Sequence, residues 1–165
     1  ATVALLLDAT LDLPALAKAV PPDAPPEVRQ RLLHVARHHC LRQIRLDSFD
    51  ARGPGSIGIV QSVLTDPPPP RDPAERRPPP PPAVPYALVT RVLPGFPACG
   101  RLRPMDRILT LNGQPFGTTD RAEGFQRRLL GLEAGATAVL GVRRGDEIVE
   151  VTLILANSTA LSGIY

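Results

Sequence analysis

Arg52–Val60 reads RGPGSIGIV, a glycine-rich turn that runs directly into alternating apolar residues. The run Gly53, Gly55, Gly58 suits a chain that must take a positive φ or approach another group closely, which a Cβ resists. Ile57, Ile59 and Val60 favour a half-buried strand. The spacing predicts a tight loop feeding a strand, with several backbone N–H groups turned to one side. Such a loop is suited to holding an anion.

Working outward from this loop, the period of the chain predicts a mainly β domain over 41–156. Upstream, Leu41, Ile44 and Leu46, with Phe49 beyond, predict a strand that leads into the loop; Ile57 to Leu64 is the next strand. The pattern then breaks. Thr65 to Pro85 carries PPPP, a charged stretch and PPPPP, which predicts polyproline II or disordered linker, because proline cannot donate to a sheet ladder or continue a helix. Within it, Arg76–Pro82 fits R-x-x-P-x-x-P, a ligand pattern for SH3-like domains that grip polyproline. Order resumes with a strand at Tyr86 to Val92, a short turn or helix at Pro97–Gly100, and a strand from Met105 to Leu111 closed by Asn112-Gly113. A helix is expected from about Thr119 to Leu130, with Ala122, Phe125 and Leu129 inward. Thr137 to Val142 and Ile148 to Leu155 make a hairpin across Arg144-Gly145-Asp146, and 157–165 reads as a polar tail.

Residues 1–40 have a helical period and form a separate extension or module. Asp12 is placed to cap a helix with Pro14 in its first turn and Leu13, Leu16, Ala17 and Val20 on one face. A second helix starts after Asp23, with Val28, Leu32, Val35 and Ala36 inward and Arg29, Arg31 and Arg37 outward. Thr2 to Leu7 fits strand or helix equally. The cluster His38-His39-Cys40, with His34 one turn earlier, invites a metal reading. Adjacent helical residues point in different directions, however, and no second His or Cys pair lies at zinc spacing, so histidines favoured by a helix C-terminus are the expectation and no metal or other cofactor is.

Composition bounds the rest. The chain has 165 residues, 43% of them apolar, a formal charge of +3 and a single lysine, Lys18. Its arginines are scattered among acids without interleaved aromatics, which argues against nucleic acid as a partner. No apolar run is long enough to insert in a membrane, and Cys40 and Cys99 lack framework spacing, so a reduced, cytoplasmic protein is expected, brought to membranes only through its partners. The chain begins at Ala1 without Met and reads as a piece of something longer.

Together these segments resemble a PDZ domain. The marks are Ser56-Ile57-Gly58-Ile59 at the place of the X-Φ-G-Φ carboxylate loop, Arg52 where a basic residue often precedes it, and Val92-Leu93-Pro94-Gly95, Pro97-Ala98, Gly100-x-Leu102, Asp106-x-Ile108-Leu109 and Asn112-Gly113. The resemblance covers about Leu41 to Ala156 and favours the animal scaffold type over the bacterial protease-associated type. It implies an α+β, mainly β fold: a partly open barrel of five to six strands with two helices, here with the helical N-terminal segment and the proline insertion added. It also implies a non-catalytic scaffold or adaptor that binds C-terminal peptides, including tails of membrane proteins, by strand addition. The carboxylate would bind Ile57, Gly58, Ile59 and Arg52; the peptide would lie along Val60, Gln61 and Val63 and face Arg121, Ala122, Phe125 and Leu129. Two departures stand out. Met105 replaces the usual Gly, and Arg121 or Ala122 stands where many relatives keep His, so selection for Ser or Thr is not expected.

An enzyme is disfavoured by the residues themselves: Ser56 lies outside any G-x-S-x-G, and there is no HExxH or phosphate loop. The alternatives are the substrate-recognition domain of a larger protease and an adaptor working through its polyproline loop.

Overall fold

The structure is a computed structural model that describes residues 2–47, 53–66, 85–116 and 123–160. Arg52, Phe49, Arg121, Ala122, the Arg76–Pro82 motif and the end of the tail lie outside the described residues. The class is α+β with mainly strands, as expected. Three N-terminal helices, α1 (Thr2–Leu7), α2 (Leu13–Lys18) and α3 (Pro26–Asp47), precede the short β1 (Gly55–Ser56). There follow β2 (Ile59–Thr65), β3 (Pro85–Val92), β4 (Arg107–Leu111), β5 (Gln114–Pro115), α4 (Glu123–Leu130), β6 (Thr137–Arg144), β7 (Glu147–Ile154) and β8 (Ala156–Asn157). The main sheet is antiparallel and open, in the order β2-β3-β4-β6-β7 with β5 added on β4; β1 and β8 make a second, two-stranded sheet.

The sheet's buried side holds Ile57, Val89, Ile108, Leu140 and Val142, and α4 closes it with Phe125 and Leu129. Each fully buried side chain of this kind contributes about 1.5–3 kcal/mol. Asn112 and Gly113, both at positive φ, make the two-residue turn between β4 and β5, and Asn112 Oδ1 accepts the Val139 N–H at 2.8 Å. The proline segment leaves and re-enters at a closed hairpin base, because Thr65 pairs with Pro85. Both residues are therefore strand ends rather than linker. Pro85 opens its strand, the position in a sheet that tolerates proline.

Two expectations at the ends of this domain are corrected. No strand forms at Leu41 to Leu46; α3 continues through them to Asp47, across the expected boundary at residue 40. The tail is also not plain linker, since Ala156 and Asn157 pair with Ser56 and Gly55.

The cause of the first correction is tertiary. The inward face of α3 goes on from Val35 through His38, Leu41 and Arg45, all 9% exposed or less. His38 Nδ1 accepts the Gly95 N–H at 2.9 Å and Arg45 Nε donates to the Gly95 carbonyl at 2.9 Å, so one helix satisfies both sides of one buried residue. His39 Nε2 lies 2.7 Å from the Leu5 carbonyl and ties α1 to α3. The histidines thus sit mid-helix, not at a C-terminus, and serve packing. Val28, expected inward, is 41% exposed.

Burial first, and then the charges of His39, Arg42, His34 and Arg45, push His38 down from 6.5 to about 4. Folded His38 is neutral where an unfolded histidine would already be charged. Its stabilisation is therefore complete above pH 6.5 and is lost as pH falls toward 4. At about 1.4 kcal/mol per pH unit the loss reaches about 3 kcal/mol. Urea titrations of wild type and His38→Asn, which keeps an acceptor, should converge in stability across this range; parallel curves would remove His38 as the cause.

Met105 has φ +74° and is 72% exposed. A left-handed conformation costs a residue with a Cβ about 1–2 kcal/mol, and glycine gives back about 0.4–1 kcal/mol through unfolded-chain entropy. Met105→Gly should therefore raise stability by about 0.5–1 kcal/mol in denaturant titration, with the fold unchanged.

Candidate functional site

Segment 53–59 is fixed from both sides before it enters β2. Gly55 N–H donates to the Leu132 carbonyl at 2.7 Å and Ala134 N–H to Gly53 at 3.0 Å, which joins the segment to the turn after α4. Ser158 N–H donates to Pro54 at 2.9 Å from the other side. Asn157 Oδ1 in turn accepts from Thr159 N–H and hydroxyl, so residues 156–159 clamp the segment in place.

Two carbonyls decide how the loop faces. Ala98 N–H donates to the Ile57 carbonyl at 3.0 Å and Leu93 N–H to the Gly58 carbonyl at 2.9 Å. Neither peptide bond is cis, and in a trans peptide the N–H points opposite to its C=O. The N–H groups of Gly58 and Ile59 are therefore both turned away from segment 93–98. Gly58 N–H lies 3.2 Å from Ser56 Oγ, a long contact. Gly58 has φ +74°, and a Cβ there would lie 2.0 Å from Phe96 Cβ. Phe96 is 5% exposed and packs with Leu41 and Ala156, so it forms a fixed back wall to the loop.

Beyond the loop, β2 is an edge strand: among the described residues it pairs with β3 alone. Its Val60 carbonyl accepts from Thr90 Oγ1 at 2.9 Å on the β3 side. By the period of an antiparallel strand, the backbone groups of Ile59, Gln61 and Val63 face the open edge. The side chains of these three residues are half-buried, whereas Val60, Ser62 and Leu64 are exposed. Gln61 Oε1 is buried with no hydrogen-bond partner among the described residues, a costly condition for an amide oxygen.

Of the residues predicted from sequence, Ile57, Gly58 and Ile59 form the loop, and Ile57, Phe125 and Leu129 come together in one cluster with Ile59 against it. Ile57, Phe125 and Leu129 are 6% exposed or less and act as core. Val60 faces away from this cluster, at 41% exposure. Phe116 meets Phe125 edge-on at 5.4 Å between ring centroids and holds α4 in position. Sequence reasoning missed Phe96 and the amides of Leu93 and Ala98; the only signal was their place within Leu93-Pro94-Gly95 and Pro97-Ala98. No family model and no curated protein sequence matches the chain. No described helix is long and apolar enough to cross a membrane. Cys40 and Cys99 are both free, and burial pushes the Cys99 thiol up to about 11, which leaves it unreactive.

Proposed function

We propose that the chain carries a PDZ-like interaction module that binds the C-terminal peptide of a partner protein beside β2. The observation that supports this most is the pair of inward-tied carbonyls at Ile57 and Gly58, which leaves the Gly58 and Ile59 N–H groups facing outward at the start of an open strand edge. A terminal carboxylate accepts hydrogen bonds from these two, with Ile57 N–H at its side, and displaces the Ser56 hydroxyl from Gly58; Arg52, outside the described residues, is the cation that the sequence offers it. Charge-assisted bonds of this kind contribute roughly 1.5–3 kcal/mol each before desolvation. The peptide then extends β2 through the backbone of Ile59, Gln61 and Val63. Gln61 Oε1 gains the donor it lacks from a polar group of the ligand. Because Phe125 and Leu129 already pack on Ile57, a small terminal side chain is preferred over an aromatic one. Nothing in this reading calls for catalysis, and it places the protein as a scaffold or adaptor in the cytoplasm.

A library of peptides with free C-termini, measured by fluorescence anisotropy, tests it. Amidating the terminus should weaken binding at least tenfold. Equal binding of amidated peptides would sink the carboxylate reading, and capture of an SH3-like domain by the proline segment, with no peptide bound, would favour the adaptor reading.

A further inference from the structure

A cavity of about 730 Å³ opens between the C-terminal half of α3, α1 and the end of the β6–β7 hairpin. None of its described lining residues belongs to β2, and α1 and α3 supply part of its wall. One part of its wall is hydrocarbon: Leu6, Leu46, Phe96 and Leu155. Another part is cationic: Arg42, Arg45 and Arg101. No described lining residue is a carboxylate.

Two of the three cations lack a partner among the described residues. Arg45 is 9% exposed and holds the Gly95 carbonyl. Arg42 and Arg101 make no side-chain hydrogen bond or ion pair to a described residue. Arg42 also works against its surroundings: its charge, after desolvation, pulls the Arg45 pKa down, and it adds to the depression of His38. Like charges gathered in a half-buried hollow repel one another unless an anion sits between them. The volume lies within the range of about 300–1,000 Å³ of small-molecule sites.

We propose that this cavity binds a single-chain anionic amphiphile, its head group between Arg42 and Arg101 and its hydrocarbon chain along Leu6, Leu46 and Leu155. The head is a carboxylate or a phosphate; both are acceptors that guanidinium groups match. The chain is apolar because much of the rest of the lining, Leu6, Leu46, Phe96 and Leu155 among it, is apolar, and a bare anion would leave that surface wet. The site does not require a peptide at the β2 edge. A ligand that holds α3 against Gly95 and Phe96 also stiffens the back wall of the 56–59 loop, so occupancy of one site is felt at the other through Phe96.

Isothermal titration with laurate and with dodecyl phosphate, each below its micelle concentration, tests this on the whole chain. Binding is expected for at least one of them, and chain length should matter, with each added methylene raising affinity about threefold to fourfold until the cavity is full. Comparing the two heads identifies the source. Dodecanol should bind at least tenfold more weakly, as should laurate to Arg42→Ala/Arg101→Ala; both arginines reach solvent and neither holds the fold. Should that variant unfold, Thr152→Trp, on an exposed cavity-lining position, blocks the chain without altering charge. Amide shifts should cluster at Gly95, Gly135 and Thr152. No binding by either amphiphile, equal binding of dodecanol, binding unaffected by both variants, or shifts confined to β2 and α4 would each overturn the proposal. Displacement of the amphiphile by an acidic peptide that causes the same shifts would overturn it in favour of a protein partner.

Discussion

Gly58→Ala should destabilise the protein by about 4 kcal/mol and abolish peptide binding together with it. Gly58 has φ +74°, a conformation that costs alanine about 1–2 kcal/mol. The new Cβ would also lie 2.0 Å from Phe96 Cβ and 2.2 Å from its Cγ. Atoms at that separation cannot coexist, and overpacking of a tight core costs typically about 1–3 kcal/mol. Phe96 packs with Leu41 of α3 and Ala156, so shifting it toward the cavity it lines breaks those contacts. Relief must therefore come from loosening that cluster or from moving the loop, and moving the loop turns the Gly58 and Ile59 N–H groups. The check is urea unfolding of Gly58→Ala, Phe96→Gly and the double variant. Phe96→Gly removes both the Cβ and the ring that the new methyl would meet, so the Gly58 substitution should cost much less in that background. Additive effects would show that the contact is not the cause, and a single variant as stable as wild type would show that the loop is not tightly backed.

Arg144→Ala is the second large effect, at about 3 kcal/mol. Asp106 is 2% exposed, and Arg144 holds it with Nε to Oδ1 at 2.9 Å and Nη2 to Oδ2 at 2.7 Å. The same Nη2 donates to the Arg101 carbonyl at 3.0 Å, while Arg103 N–H caps Oδ2 at 2.9 Å. The carboxylate raises the Arg144 pKa, chiefly through the hydrogen bond. Removing the guanidinium leaves a buried charge with one backbone donor. Breaking a buried pair in this way costs about 3–5 kcal/mol, and the low end applies because the Arg144 side chain is 28% exposed and water can enter. Arg144→Lys should recover less than half, since an ammonium cannot span both oxygens and the Arg101 carbonyl. Thermal and urea unfolding measure both variants. A loss below 1 kcal/mol for Arg144→Ala would show that water replaces the guanidinium fully.

Several elements were legible in the chain because their causes are local. Ile57 to Leu64 alternates as a half-buried strand must. Asn112-Gly113 carries its turn in two residues that accept positive φ, and the Phe125–Leu129 spacing marks the inward face of α4 whatever it packs against. The same locality misled at Leu41 to Leu46. Their spacing suits either a strand or a helix, and the choice rests on Gly95, about fifty residues away, whose N–H and carbonyl are filled by His38 and Arg45. Met105 stands where glycine is expected, and its positive φ shows why.

From sequence alone come the α+β class, the order of strands after Gly55 and the residues of the 56–59 loop, since these follow from period, turn chemistry and the special freedom of glycine. Tertiary structure alone decides which way that loop faces. Its direction depends on the amides of Leu93 and Ala98 holding two carbonyls, on Phe96 filling the space where Gly58 has no side chain, and on β8 and the turn after α4 clamping its approach. Each of these is a contact between residues far apart in the chain, and a hydrogen bond or a van der Waals boundary acts across space regardless of sequence distance.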